Sequence, residues 1–236
     1  QHHTFRLTRE DLAENYVRLL EAIDEPFADS SALPSFILCD RTRRSVTVAL
    51  SGDGADEVFG GYTRHQAELR LRSPGFAEKA VIALAPLWRA LPRSRGNTMA
   101  NMFRKLDRFA RIAHAPEGER WLALASFDPD GDAKLIVPLA DEGDAIRARQ
   151  RDLTAGLSRM KGLNGVLLAD VLTTLPNDML HKVDLTSMAH ALEVRAPLVD
   201  HLLLEQLAGL PGSLKLRGLR GKWLLREAVR DLVPWQ

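Results

Sequence analysis

Apolar residues recur at helical spacing along most of the chain. After Thr8, a suitable N-cap, Glu10 and Asp11 occupy the first turn, where carboxylates suit the helix dipole, and apolar positions repeat up to Ile23. Proline and glycine punctuate the later segments. The spacing predicts helices over 9–23, 76–91, 99–113, 117–126, 144–160, 163–174, 177–190, 199–209 and 219–232.

Two apolar stretches add to this pattern. Residues 32–39 run into Arg41 and Arg43, cations that suit the C-terminus of a helix. Residues 80–91 form the longest strongly apolar run, which contains Pro86 and is shorter than the roughly 20 residues of a membrane span. We therefore expect a buried helix there and no membrane association.

Residues 45–50, Ser-Val-Thr-Val-Ala-Leu, are the clearest strand in the chain because they are rich in β-branched residues and too few for a helix. Their apolar character on both faces predicts a central strand of a covered parallel sheet. Residues 4–7 are the one other, weak, strand candidate. The expected fold class is α/β, predominantly helical.

Composition and charge exclude several classes of protein. Of 236 residues, 45% are hydrophobic and 27% charged, with a net charge of +1. A disordered chain would be less apolar than this one. A protein that binds nucleic acid mainly through contacts with its phosphates would carry an excess of basic residues, so we expect no nucleic-acid partner. The single cysteine, Cys39, cannot form an intrachain disulfide, which indicates a cytoplasmic protein. Because the chain starts at Gln1 without a Met, we expect a piece of a longer protein.

The segment directly after the strand, Ser51-Gly52-Asp53-Gly54-Ala55-Asp56-Glu57, has the composition of a phosphate site. Its glycines permit close approach of a ligand, and its hydroxyl and backbone amides can bind phosphate oxygens. Its carboxylates would repel a bare phosphate, so a Mg²⁺ ion that bridges carboxylate and phosphate would be needed. The pattern also fits a tight strand-to-helix turn whose acids cap the helix dipole. It matches neither a Walker loop nor a dinucleotide fingerprint. The acids at 128–132 form a turn that lacks the glutamate of a calcium loop.

Two further segments carry clustered charge. Residues 175–184 place Lys182 one helical turn from Asp178, with Asp184 nearby, which predicts a polar helix face or a solvated ion pair. Residues 215–223 are basic and glycine-spaced ahead of the last helix, which predicts either a phosphate-reaching turn or a solubilising surface loop.

Taken together, these segments resemble the synthetase domain of glutamine-hydrolysing asparagine synthases. The run 48–62, Val-Ala-Leu-Ser-Gly-Asp-Gly-Ala-Asp-Glu-Val-Phe-Gly-Gly-Tyr, looks like the second nucleotide motif of that family. Segments resembling the same family in the same order are 24–31, 175–184, 192–201 and 214–227. The resemblance implies that 1–236 belong to one synthetase domain with a pyrophosphate-loop-type fold, similar to that of the adenine nucleotide α-hydrolases.

The implied reaction is adenylation of the aspartate side chain by ATP with Mg²⁺, followed by attack of ammonia from a glutaminase domain to give asparagine, AMP and pyrophosphate. Ser51 and Gly52 match nucleotide-contacting positions, and Asp56 matches a magnesium ligand. Asp53 lies where the family places an acid beside the intermediate or ammonia, and Lys222 matches a lysine that stabilises charge at the α-phosphate. The residues that match positions lining or bracing the substrate pocket are Asp178, Lys182, Asp184, Glu193 and Arg195.

The chain departs from the family pattern at several points. The first pyrophosphate loop, Ser-Gly-Gly-x-Asp-Ser-Ser, and the N-terminal glutaminase cysteine are not in this sequence, so we expect the 236-residue chain to be inactive alone. Thr174 and Leu185 stand where the family often has Tyr and Arg. These differences leave open another carboxylate acceptor, in β-lactam, exopolysaccharide or peptide pathways, or a non-catalytic degenerate module. The resemblance also leaves a homodimer open.

Overall fold

In the computed structural model the protein is a mostly helical α/β structure. The residues described are 2–25, 27, 29–92, 96–126, 143–154, 157, 160 and 162–233. The helices, in chain order, are α1 (Arg9–Ala22), α2 (Ala32–Arg43), α3 (Ala55–Phe59), α4 (Thr63–Arg72), α5 (Phe76–Ala83), α6 (Ala85–Ala90), α7 (Thr98–Ile112), α8 (Glu117–Ala125), α9 (Gly143–Thr154), α10 (Leu163–Leu172), a π-helical turn (Leu175–Leu180), α11 (His181–Met188), α12 (His201–Ala208), α13 (Gly212–Lys215) and α14 (Trp223–Ala228). The strands are β1 (Val48–Leu50) and β2 (Glu193–Arg195).

The chain folds into two compact units. The first unit contains residues 1–58 and 170–209, and the second unit contains 59–169 and 210–236. In the first unit α2 packs against both α1 and α11, and its core is centred on Leu19, Ala32 and Phe36. The core of the second unit surrounds Trp121, with buried side chains from α10 and Leu216.

The start of α1 is as the sequence predicts. Thr8 is the N-cap, and its hydroxyl accepts from the Asp11 amide at 3.2 Å. The Asp11 carboxylate in turn accepts from the Thr8 amide at 2.9 Å, so the two residues form a capping box. This reciprocal pair satisfies two backbone donors that a helix start would otherwise leave unpaired.

The predictions of one helix over 76–91 and of burial over 80–91 were wrong. The segment forms two short helices, α5 and α6, which meet at Leu84 just before Pro86, and neither contains a buried residue. Proline lacks an amide hydrogen, so it starts the second helix more readily than it continues the first. Leu84 and Leu87 are about half exposed.

Other helix boundaries also differ from the predictions. The helix predicted over 219–232 is confined to Trp223–Ala228, and the one predicted over 177–190 begins with the π turn. Helix α4 is an element that apolar spacing did not reveal. The predicted acidic turn at 128–132 lies outside the described residues, as do Pro26 and Ala28 of the segment 24–31.

The sheet consists of β1 and β2, paired in parallel with Val48 opposite Glu193 and Leu50 opposite Arg195. The predicted strand 45–50 is therefore confirmed at its C-terminal half. The prediction that it is covered on both faces was wrong for the part of the chain that the structure describes, where Val48 is 41% and Leu50 73% exposed. No helix within the described ranges has the length and apolarity needed to cross a bilayer.

Candidate functional site

The candidate site in the first unit begins where β1 ends. Because β1 and β2 are parallel, their carboxyl ends lie at the same edge of the sheet, which is where α/β proteins hold ligands. The Ser51 amide donates to the Arg195 carbonyl at 2.8 Å, so the pairing continues into the loop. Residues 51–54 then lead directly into α3. The predicted order of strand, glycine loop and helix is confirmed.

Hydrogen bonds within this loop fix its shape. The Asp53 amide lies 3.5 Å from the Ser51 hydroxyl oxygen, and the Ala55 amide donates to the Gly52 carbonyl at 3.3 Å. Gly54 has a φ of +85°, and a Cβ at this position would lie 2.3 Å from Val199 Cγ1. Gly54 is therefore required both by its left-handed backbone and by its close packing.

Gly52 differs from Gly54. It is exposed, and a Cβ there would meet none of the described atoms within 4 Å. Packing within the described structure therefore does not explain a glycine at position 52. Open space beside a serine hydroxyl is what a ligand needs in order to approach the backbone closely.

Acidic side chains lie within the loop and directly after it. Asp53 and Asp56 are partly buried, whereas Glu57 is only 1% exposed. No group of three or more potential metal ligands exists among the described residues. One or two carboxylates that complete their coordination with substrate phosphates are, however, the usual protein contribution to a Mg²⁺ site. The partly buried Asp56 carboxylate fits magnesium held in that way.

A buried ionic cluster joins two of the predicted motifs. The Lys182 ammonium in α11 is buried and donates to Asp29 Oδ2 at 2.6 Å and to the Ser31 hydroxyl at 2.9 Å. The Ser31 hydroxyl also donates to Asp29 Oδ2 at 2.7 Å. Burial raises the pKa of Asp29, but hydrogen bonds from Lys182 and Ser31 outweigh this effect, so the pKa lies below its ordinary value. The alternative of a solvated Asp178–Lys182 pair was therefore wrong.

The remaining predicted pocket residues differ from one another in exposure. Asp178 is partly buried in the π turn, a type of helix that is often found at functional sites. Asp184 is exposed. Glu193 and Arg195, on the same side of β2, are exposed and pair with each other, with Arg195 Nε 2.7 Å from Glu193 Oε1. These two side chains form a surface ion pair.

Lys222 belongs to the second unit, and backbone hydrogen bonds fix its position. Its φ of +53° puts a non-glycine residue in the left-handed region. Its amide donates to the Phe59 carbonyl at 3.2 Å. Its own carbonyl accepts from the backbone amide of Arg226 at 2.9 Å, in the first turn of α14. A Cβ on the preceding Gly221 would lie 2.7 Å from the Gly60 carbonyl oxygen. The turn before α14 is thus fixed against the Gly60-Gly61 backbone.

Sequence reasoning did not identify Asp29 and Ser31 as individual members of the site. The sequence indicates them only as part of the segment 24–31, because their partner Lys182 lies 153 residues from Asp29. The sequence pattern indicates the residues of β2 as part of a motif but does not predict a strand there. An isolated polar-apolar-polar triplet ahead of Pro197 was the only local signal for it.

Comparisons with known proteins agree on one family. A family model described as asparagine synthase matches residues 1–236. The chain is 27% identical over 233 residues to asparagine synthetase (glutamine-hydrolyzing) 1 of Bacillus subtilis, which covers 97% of this chain and 35% of that protein. It is 25% identical over 237 residues to asparagine synthetase (glutamine-hydrolyzing) 3 of the same organism, with coverage of 99% and 32%.

The similarity extends to proteins with another name. The chain is 23% identical over 254 residues to the amidase chry2 of Gibberella zeae, with coverage of 98% of this chain and 36% of that protein. The chain therefore spans about a third of the length of these curated relatives. No solved structure matches it.

Proposed function

The chain belongs to the asparagine synthase family, and on that premise we propose that the protein carrying it is an ATP-dependent, amide-forming ligase. In the specific form of this proposal, the enzyme adenylates the side-chain carboxylate of aspartate and releases pyrophosphate. Ammonia derived from glutamine then displaces AMP to give asparagine. The names of the two Bacillus subtilis relatives, glutamine-hydrolyzing asparagine synthetases, support this choice of acceptor and nitrogen donor.

The observation that carries the proposal is the loop 51–54 at the carboxyl edge of the β1–β2 pair. The Ser51 hydroxyl and the open space at Gly52 suit the phosphates of a nucleotide. Mg²⁺, when bound, would neutralise phosphate charge and make the leaving pyrophosphate a better leaving group. We assign its protein ligand to Asp56, with Asp53 beside the reacting carboxylate.

Two lysines receive different roles in this proposal. Lys222 would provide positive charge to the α-phosphate, where negative charge accumulates during adenylation. Lys182 is a positioning residue, since its ammonium is already occupied by Asp29 and Ser31. We assign it to bracing α11 against the segment that precedes α2. Asp178, Asp184, Glu193 and Arg195 remain candidates for the walls of the acceptor pocket.

Another acceptor carboxylate is the second candidate. The Thr174 hydroxyl, where the family often has Tyr, donates to Asp170 Oδ1 at 3.1 Å and so serves the fold. Position 185 carries an uncharged leucine. A pocket with these residues would present different groups to the substrate from those of the asparagine-forming pattern. Similarity to an amidase is consistent with such a difference.

The test uses the full-length protein that contains this chain. Pyrophosphate release is followed with Mg²⁺-ATP, glutamine and a panel of carboxylate acceptors that includes aspartate. We expect Asp56→Asn to lower acceptor-dependent pyrophosphate release by about 100-fold or more and to raise the Mg²⁺ concentration needed for half-maximal rate. Asp231→Asn, an exposed change of the same chemistry, is the matched control and should leave both quantities unchanged.

The outcomes separate the parts of the proposal. Unaltered Mg²⁺ dependence in Asp56→Asn would overturn the metal assignment. Pyrophosphate release with another carboxylate but not with aspartate would establish the second candidate. If the wild-type protein releases no pyrophosphate with any acceptor and does not bind Mg²⁺-ATP, the ligase proposal fails altogether.

A further inference from the structure

Helix α1 carries apolar side chains on two faces, one packed and one exposed. Leu19, on the packed face, belongs to the core of the first unit. The other face carries an apolar row with the i, i+3, i+4, i+7 spacing of neighbours along a helix: Ala13, Tyr16, Val17 and Leu20. All four are exposed, and the three larger side chains are each more than half exposed. An unbroken apolar row on an exposed helix face is a common form of interaction site.

Opposite charges lie at the two ends of the apolar row. Arg9 is one helical turn before Ala13, at the first position of α1, and Asp24 is four residues after Leu20, just past the end of α1. Glu21 adds an exposed carboxylate in the last turn, which contains no basic residue. A cation at the start of a helix and acids at its end both oppose the helix dipole. The stability of α1 alone therefore does not explain the placement of these three charges.

The apolar row and its end charges are complementary to an antiparallel copy of themselves. The positions are symmetric about the point between residues 16 and 17. Counted outward from that point, the pairs are Tyr16 with Val17, Ala13 with Leu20 and Arg9 with Asp24. When two copies of α1 lie antiparallel about a two-fold axis, each member of a pair faces the other member on the second copy. Apolar side chains then pack between the helices, and the cation of each copy faces the acid of the other.

We propose that the apolar row is the contact surface of a homodimer in which two copies of α1 pack antiparallel around a two-fold axis. Tyr16 and Val17 of both copies form the centre of the contact, and Arg9 of each copy pairs with Asp24 of the other. The contact uses one helix from each copy, and exposed ion pairs contribute little individually, so the dimer dissociates reversibly. None of these residues is assigned a role in the ligase reaction.

The test measures the mass of the full-length protein by sedimentation equilibrium over a wide range of protein concentrations. We expect a monomer–dimer equilibrium whose dissociation constant rises with salt, because salt screens the attraction between the end charges. Leu20→Ser removes one large apolar side chain from each copy and should weaken association about tenfold or more. Phe76→Ser, a change at an exposed apolar residue of the second unit, is the matched control and should associate as the wild type does.

Charge reversal tests the antiparallel pairing directly. Arg9→Glu puts acids at both ends of the row, and Asp24→Arg puts a cation at each end, so each variant should self-associate about tenfold more weakly than the wild type. An equimolar mixture of the two variants should associate with nearly wild-type affinity, and so should the double variant with itself. Both changes suit the dipole of α1 better than the original residues do, so unfolding of the helix would not account for the losses. Asp231→Arg, a reversal at another exposed acid, is the matched control and should have no effect.

The proposal is wrong if the wild-type protein stays monomeric at every concentration. It is also wrong if a dimer forms but Leu20→Ser and both charge reversals leave it unchanged, since another surface would then hold it together. A mixture of the two reversals that associates no better than either alone excludes the antiparallel arrangement. If the protein is monomeric and Leu20→Ser lowers its Tm, another segment of the full-length protein covers the row instead of a second copy. Pyrophosphate release is not measured in these experiments, so their outcome is independent of the proposed ligase function.

Discussion

The Lys182 ammonium lies 2.6 Å from Asp29 Oδ2, inside the first unit and across 153 residues of sequence. Both side chains are largely buried, with 10% and 16% of their surfaces exposed. Removing one member of such a pair leaves a partly buried charge without its counterion, which costs more than the pair itself contributes. The contact therefore ties α11 to the segment before α2, and its disruption should be visible in the stability of the protein.

Lys182→Met should lower the free energy of unfolding at pH 7 by about 2–4 kcal/mol. The pKa of Asp29 is below its ordinary value of 3.8, so its stabilising contribution is present above that pH and is lost as the pH falls through the lower folded-state pKa. The variant should therefore lose less stability than the wild type on acidification below pH 4. Urea unfolding at pH 7 and pH 3 measures both effects, and equal pH dependence in the two proteins would contradict this account.

The two glycines of the loop 51–54 should respond differently to alanine. Gly54→Ala places a Cβ 2.3 Å from Val199 Cγ1 on a backbone with a φ of +85°, so we expect a loss of roughly 2–4 kcal/mol in unfolding free energy. Gly52→Ala meets open space and should change stability by less than about 1 kcal/mol. Its effect should instead be weaker binding of Mg²⁺-ATP to the full-length protein, measured by titration calorimetry. Wild-type nucleotide affinity in Gly52→Ala would argue against close approach of phosphate at this position.

The sequence predicts well those elements whose signal is local. Thr8 and Asp11 lie three residues apart, and their capping box depends on no distant residue. The strand-loop-helix around residues 45–57 is likewise identified by its own composition. These features follow from backbone preference and short-range hydrogen bonding, which a single sequence displays directly.

Elements that depend on distant partners are harder to predict. Strand β2 has three residues and is defined by its pairing with β1. Helix α4 buries polar side chains, and its Glu68 receives two hydrogen bonds from Arg120, at 2.6 and 3.0 Å. Apolar spacing cannot reveal a helix whose buried face is held by ion pairs. The pairing of Lys182 with Asp29 is equally hard to predict, because the two residues are 153 positions apart in the sequence.

Two substitutions of Lys222 can distinguish the effect of its backbone strain on stability from the effect of its charge on the reaction. Its left-handed backbone costs about 1 kcal/mol in a residue with a Cβ, and glycine avoids this cost. Lys222→Gly should therefore be about 1 kcal/mol more stable than Lys222→Ala in urea unfolding. Both variants should lose acceptor-dependent pyrophosphate release because both lack the ammonium. Substantial release by either one would remove Lys222 from the proposed mechanism, whereas equal stabilities would show that the backbone at this position carries no strain.

Lys215 gives a pH dependence of the same sign as that of Asp29, but at alkaline instead of acidic pH, because the folded-state pKa is lowered in both. Burial lowers its pKa from 10.5 to about 8, and its ammonium donates to Asn164 Oδ1 at 3.1 Å. Between about pH 8 and 10.5 the unfolded chain therefore binds a proton that the folded chain does not, so stability from this group rises with pH over that range. Lys215→Met keeps the volume of the side chain, removes the cost of burying its charge and should stabilise the protein at pH 7 by roughly 1–2 kcal/mol after loss of the hydrogen bond. The difference in unfolding free energy between the variant and the wild type should shrink from pH 7.5 to pH 10. A constant difference across this range, measured by urea unfolding, would show that Lys215 keeps an ordinary pKa in the folded protein.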